Sequence, residues 1–204
     1  QRRVALTMTM REKTMQFRKL GALALLGAGL MLPTAASAVE VITEATIVNG
    51  LQGPSATIAV DTAALMAEVQ TNMGKGIAAM PSWQQLAKLT QLVVDIEFEY
   101  NSTAIVPSSY VNLGAIADAL HHPLLAKYKF LVVGHTDATG KADYNLKLSL
   151  ERANAITQAL ATTFAVSPKR LFAVGVGEEL PADPKHPDAA VNRRVQLINI
   201  GEVR

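Results

Sequence analysis

The apolar run FLVVG at residues 130–134 constrains this chain more than any other feature. It is short, follows Lys129 and ends on Gly134, which suits a strand buried on both faces of a sheet. Downstream, Leu146, Leu150, Ala153, Ile156 and Leu160 recur at helical spacing, and LFAVGVG (171–177) and VQLINI (195–200) read as two further strands. If FLVVG and LFAVG are parallel, the long helix between them makes a right-handed crossover. Upstream, Leu113, Ile116, Ala117 and Leu120 mark one face of an earlier helix. Before that helix, Val94, Ile96, Phe98 and Tyr100 alternate with Asp95, Glu97 and Glu99 as a half-buried strand does. Strands and helices in this order predict an α/β fold with helices packed on one sheet.

Residues 39–90 read as a small N-terminal appendage or linker. VEVITEATIV and SATIAV flank the turn signals Asn49-Gly50 and Gly53-Pro54, which predicts two short strands. Asp61 is placed to cap a helix that stops at Gly74, and Ser82 to cap a second, WQQLAKLTQ. Residues 1–38 have the make-up of an export signal. Arg11, Lys13, Arg18 and Lys19 precede the apolar run Gly21 to Leu32, and Ala36-Ser37-Ala38 follows. That run is too short for a membrane span, which needs about 20 apolar residues. Cleavage after Ala38 and a periplasmic or outer-membrane-associated protein are expected.

Charge and cysteine content remove several function classes. The chain has a net charge of +2, but residues 1–38 hold six Lys/Arg and one acid. The remainder therefore carries 13 Lys/Arg against 16 Asp/Glu, so no basic nucleic-acid surface is expected there. With no cysteine, disulfide scaffolds, thiolate metal sites and cysteine nucleophiles are excluded.

The chemistry lies in GHTDATGKADYNLKLSLERA, residues 134–153. It sets Asp137 just past a strand end and Arg152 inside the following helix, the region where α/β sheets place ligand sites. A carboxylate and a guanidinium held apart suit a zwitterion, the first accepting from an ammonium and the second clamping a carboxylate. On residue chemistry alone the ligand is a small amino-acid-like group and nothing narrower.

GHTDATG, YNLKLSLERA, GVGEELP and NRRV, in that order over residues 92–202, resemble the OmpA-like peptidoglycan-binding domain. The resemblance implies an α/β sandwich in residues 91–204: two layers, with helices packed on a four-stranded mixed sheet. It implies noncovalent binding of the diaminopimelate in the peptidoglycan stem peptide, with Asp137 taking the ammonium and Arg152 the carboxylate. Asn101, Thr136, Thr139 and Asn145 follow as further ligand-facing positions and Arg194 as one that lines the site or braces it, while Arg193 is expected to pair with an acid at the sheet edge. The loop ADPKHPDAA departs from the family's usual pattern. An envelope protein that contacts residues 39–90, with the domain as its wall tether, and self-association are left open as further partnerships.

An enzyme is not expected. His135, Asp137, His121, His122 and His186 do not form a spacing that sets three metal ligands on one face, and no GxSxG elbow occurs. No cofactor is called for.

Overall fold

The structure is a computed structural model that describes residues 41–53 and 59–202. The export signal expected in residues 1–38 lies outside the described residues. The sheet has four strands: β1 (Gln91–Val94), β2 (Tyr128–Gly134), β3 (Leu171–Gly175) and β4 (Val195–Glu202). Their order is β1-β4-β2-β3, with β4 antiparallel to both β1 and β2, and β2 parallel to β3. This is the expected four-stranded mixed sheet.

β2 is central and buried on both faces. Phe130 and Val132 face one hydrophobic core and Leu131 and Val133 the other, and all four are fully enclosed. Burying an aliphatic or aromatic side chain completely is worth about 1.5–3 kcal/mol, so this strand anchors both layers. Against the first face pack α1 (Glu44–Leu51), α4 (Tyr110–His121) and α5 (Ala142–Thr162). Leu113, Ile116, Ala117 and Leu120 of α4, and Ala153, Ile156 and Leu160 of α5, point into this core as their spacing predicts. The second face is covered by α2 (Thr62–Thr71) and α3 (Pro81–Leu86), through Leu65, Val69, Trp83 and Leu86.

The segment before residue 91 therefore contributes to both cores, and three local readings change. Residues 44–48, expected as strand, and the expected turn at Asn49-Gly50 form helix α1. Thr43 caps it, its hydroxyl accepting from the Thr46 amide at 3.2 Å, and Ile47, Val48 and Leu51 are buried. Burial of that apolar side overrides the β preference of Ile, Val and Thr. The end of α1 is then stitched to β4, where the Asn199 amide donates to the Leu51 carbonyl at 3.0 Å. The second expected strand, residues 55–60, lies mostly outside the described residues. Asp61 does cap α2, accepting from the Ala64 amide at 3.0 Å. α3 begins at Pro81, not after Ser82, and ends at Leu86, because Gln91 already pairs with Ile198 in the sheet. The strand expected through Tyr100 stops at Val94. Beyond it the chain turns back on itself, Val106 donating to the Glu97 carbonyl and Phe98 bridging Ile105, and Tyr100 is exposed.

Two glycines set how close α5 lies to the strands. A Cβ on Gly134 would stand 2.1 Å from the Ser149 carbonyl oxygen, and one on Gly175 would stand 2.3 Å from the Leu150 amide nitrogen. Those contacts are with helix backbone, which cannot step aside alone. The Ser149 hydroxyl spans the junction, donating to the Leu146 carbonyl and accepting from the Gly177 amide, both at 2.8 Å. We expect Gly175→Ala to lower stability by about 3 kcal/mol or more, at the upper end of overpacking costs. Gly140→Ala, with nothing within 4 Å of its Cβ, should cost less despite its φ of +104°. Urea unfolding of the two variants checks the order.

Candidate functional site

The chain leaving β2 does not wander to the helix. The His135 amide donates to the Arg194 carbonyl at 3.1 Å, the Thr136 amide to Gly177 at 2.9 Å and the Ala138 amide to Pro187 at 2.9 Å. These three bonds tie the loop to β4, to the end of β3 and to the 178–189 loop. Asn145, buried in the first turns of α5, holds the loop from the other side. Its amide nitrogen faces the Asp137 and Thr139 carbonyls at 3.2 and 3.1 Å and the Glu178 carboxylate at 2.6 Å. Asn145 thus positions the Asp137 loop, its donors being spent on protein acceptors.

Asp137 is only 8% exposed and is charged. Its Oδ1 accepts from the Thr139 amide at 3.0 Å and its Oδ2 from Arg193 Nη1 at 2.6 Å. Burial opposes the negative charge, but the Arg193 and Thr139 hydrogen bonds outweigh it and hold the carboxyl below its usual range. Arg193, expected to pair with an acid at the sheet edge, instead pairs with the central carboxylate of the site. Sequence spacing could not signal this, because the pair joins residues 56 positions apart.

Arg152, on α5, lines a cleft together with Arg193. Its Nε donates to the Ser102 carbonyl at 3.1 Å and its guanidinium lies 4.8 Å from the centre of the Phe98 ring. No described residue places an acceptor on its two terminal nitrogens, so the outer edge of the fork is left for a ligand. The cleft has a volume of about 530 Å³. Arg152, Arg193 and Arg194 line it together with Asp95, Glu97 and Phe98. The two acids belong to the strand pattern recognised in the sequence, but their place in the cleft follows from the turn after β1.

The remaining expected residues divide. Arg194 lines the cleft, yet its terminal nitrogens donate to the Leu180 and Asn192 carbonyls, so it braces the wall. Asn101, in a left-handed turn at φ 50°, accepts from the Tyr144 hydroxyl and links the Ser102 turn to α5. Thr136 is buried and its hydroxyl has no partner. Thr139 turns its amide toward Asp137. His135 is buried too, its Nε2 set 3.1 Å from the Gln196 side-chain oxygen. Burial first, then the Arg194 charge, push its pKa down to about 3, so the ring is neutral. Among the described residues, no three His, Asp or Glu side chains are grouped to hold a metal ion.

A family model described as OmpA family matches residues 97–194, which include Glu97, Asp137, Arg152 and both cleft arginines that follow. Residues 97–194 are an OmpA-family domain. Outer membrane porin F of Pseudomonas fluorescens is 35% identical over 116 residues, covering 54% of this chain and 34% of that protein. The peptidoglycan-associated lipoprotein of Legionella pneumophila is 32% identical over 104 residues, covering 50% of this chain and 57% of that one. The crystal structure of the peptidoglycan-associated lipoprotein from Burkholderia pseudomallei shares 30% identity, with a TM-score of 0.45, over 55% of this chain and 91% of that one. The chain thus spans about a third of the porin F relative and little more than half of the Legionella lipoprotein. The helices that cover the second face of the sheet come from residues before the matched region.

Two titrations follow from the site. Asp137, with its depressed pKa, stabilises the fold above the ordinary carboxylate range and loses that contribution as pH falls through its lower folded value. Arg193→Gln should raise the Asp137 pKa toward about 3.9, read by carbon NMR of the carboxyl group. His135 acts over a different window. An unfolded histidine takes up a proton near pH 6.5 while the buried ring stays neutral down to about 3, so stability should decline as pH falls between them. Urea midpoints from pH 7.5 to 4 should show this slope, and His135→Gln should flatten it.

Proposed function

We propose that the cleft binds peptidoglycan noncovalently through the diaminopimelate of the stem peptide and so tethers the protein, with any partner it carries, to the cell wall. The observation that carries this reading is the Asp137–Arg193 ion pair, 2.6 Å long, whose arginine lines a cleft together with Arg152, which keeps its fork unfilled. A zwitterion can exchange with that pair without leaving any charge bare. Its ammonium takes Arg193's place on Asp137, and its carboxylate meets Arg152 and the released Arg193. The Arg193 side chain is 51% exposed, so moving it outward desolvates nothing. Arg152 is held by Ser102 and Phe98, so its fork is ordered before the ligand arrives. No covalent bond is made or broken in this exchange; the site is a clamp.

Two relatives are named peptidoglycan-associated lipoprotein and others outer membrane protein or porin, which favours this ligand and an envelope location. Among the described residues no helix is long and apolar enough to cross a membrane. In this reading the chain reaches the envelope by way of the export signal expected in residues 1–38.

The test is co-sedimentation with purified sacculi, together with calorimetric titration of a diaminopimelate-containing stem peptide. Removing one partner of a desolvated charge contact costs about 2–5 kcal/mol, so Asp137→Ala and Arg152→Ala should each weaken binding well over tenfold. Arg152→Lys should recover little, because an ammonium lacks the two-pronged geometry. A stem peptide whose diaminopimelate is amidated should bind more weakly, having lost the charge that Arg152 reads. Circular dichroism establishes that the variants are folded. If folded Asp137→Ala and Arg152→Ala bind like the parent, the reading is wrong.

A further inference from the structure

Between β1 and α4 the chain makes a small hairpin whose tip is the turn at residues 99–104. The Val106 amide donates to the Glu97 carbonyl at 3.0 Å, and the Glu99 amide to the Ala104 carbonyl at 2.9 Å. Within the tip, the Ser102 amide donates to the Glu99 carbonyl at 3.1 Å and the Ser102 hydroxyl accepts from the Ala104 amide at 3.0 Å. Asn101 turns the chain with a φ of 50°, a left-handed conformation that asparagine adopts more readily than most residues. Tyr100 beside it is 99% exposed, so burial of its ring does nothing to hold the tip in place.

Two side chains of α5 grip this tip. Arg152 Nε donates to the Ser102 carbonyl at 3.1 Å, and the Tyr144 hydroxyl donates to the Asn101 side-chain oxygen. Eight residues of helix set Tyr144 and Arg152 about 12 Å apart along the axis, yet they converge on adjacent residues of the turn. The Ser102 carbonyl takes the Nε of Arg152 and leaves the two terminal nitrogens open, so the place of that carbonyl sets the direction of the fork. Its place depends in turn on Asn101, the residue before it. Held by Arg152 alone, turn and fork could swing together. The second tie, from Tyr144, removes that freedom by fixing Asn101 to the helix that carries Arg152. Tyr144 is 45% exposed and packs in neither hydrophobic core, so its hydroxyl does little for global stability.

We infer that Tyr144 is a positioning residue for ligand capture: through Asn101 it fixes the Ser102 turn, and the turn fixes the direction in which Arg152 presents its open fork. The inference rests on the reading of the cleft as a clamp for a carboxylate, while the chain of contacts from Tyr144 to Arg152 is independent of which ligand is bound. A fork that is aimed only part of the time binds more weakly in proportion to the fraction aimed.

Tyr144→Phe removes one hydroxyl and keeps the ring. The Arg152 Nε–H signal in a nitrogen–proton NMR spectrum, assigned by its loss in Arg152→Lys, should exchange with water severalfold faster in Tyr144→Phe than in the parent chain. Calorimetric titration with the diaminopimelate-containing stem peptide should give about threefold to tenfold weaker binding, the range of one hydrogen bond. The melting temperature should fall by about 2 °C or less, as for most surface substitutions, which separates aim from stability. Asn101→Gly keeps the left-handed turn and removes the acceptor, so it should weaken binding too, and adding Tyr144→Phe to it should change little further. Unchanged Arg152 exchange, unchanged binding by Tyr144→Phe, a larger fall in melting temperature, or losses that add in the double variant would each overturn the inference. If the parent chain binds no stem peptide, the ligand reading is what fails, and the Arg152 exchange still decides the positioning role.

Discussion

The contact on which the site depends is the close approach of α5 to the ends of β2 and β3. With side chains at Gly134 or Gly175 the helix backbone would be pushed off the strands. The Ser149 bridge to Gly177 would then open, and the turn that presents Asp137 would lose its far support. Asp137 comes from the strand end and Arg152 from the helix, so their separation is set by this one interface. Packing at this junction is therefore a requirement for the proposed recognition as well as for stability.

Electrostatics then divides the charged residues by what they already satisfy. Arg194 and Asn145 have spent their donors on carbonyls and a carboxylate, and they make the walls stiff. Arg170, buried away from the cleft, does the same for the core. It donates to the Tyr128, Leu120 and Leu125 carbonyls and closes the end of α4. Arg152 and the Asp137–Arg193 pair differ. One has an open fork, and the other is an ion pair with an exposed partner able to exchange. The Asp137 carboxylate is thus paired in the empty site, and in the proposed exchange it stays paired, which avoids the cost of an unpaired buried carboxylate.

The segment before β1 has a structural part to play. α1 is sewn to the sheet by Asn199 and to α4 through Asn112, which accepts from the Ile42 amide. α2 and α3 cover a face that would otherwise expose Leu131, Val133, Val174 and Ile198 to water. In covering it they leave a cavity of about 410 Å³ lined by Trp83, Leu86 and His135.

The sequence by itself determined a good deal. Short apolar runs located β2, β3 and β4, helical spacing located α4 and α5, and the order of short motifs pointed to the family and to Asp137 and Arg152 as candidates. Those features are local, each written within a few residues. What only the tertiary structure decided is non-local. It turned residues 44–51 into helix, because a buried side outweighs the β preference of Ile and Val. It brought Arg193 to Asp137 across 56 positions and folded Asp95 and Glu97 into the cleft wall. It also made Asn145 and Arg194 supports, since a donor's role depends on which acceptors the fold sets beside it. Charge type and spacing can be read along a chain, whereas the partner of each charge is chosen by the packing that brings distant segments together.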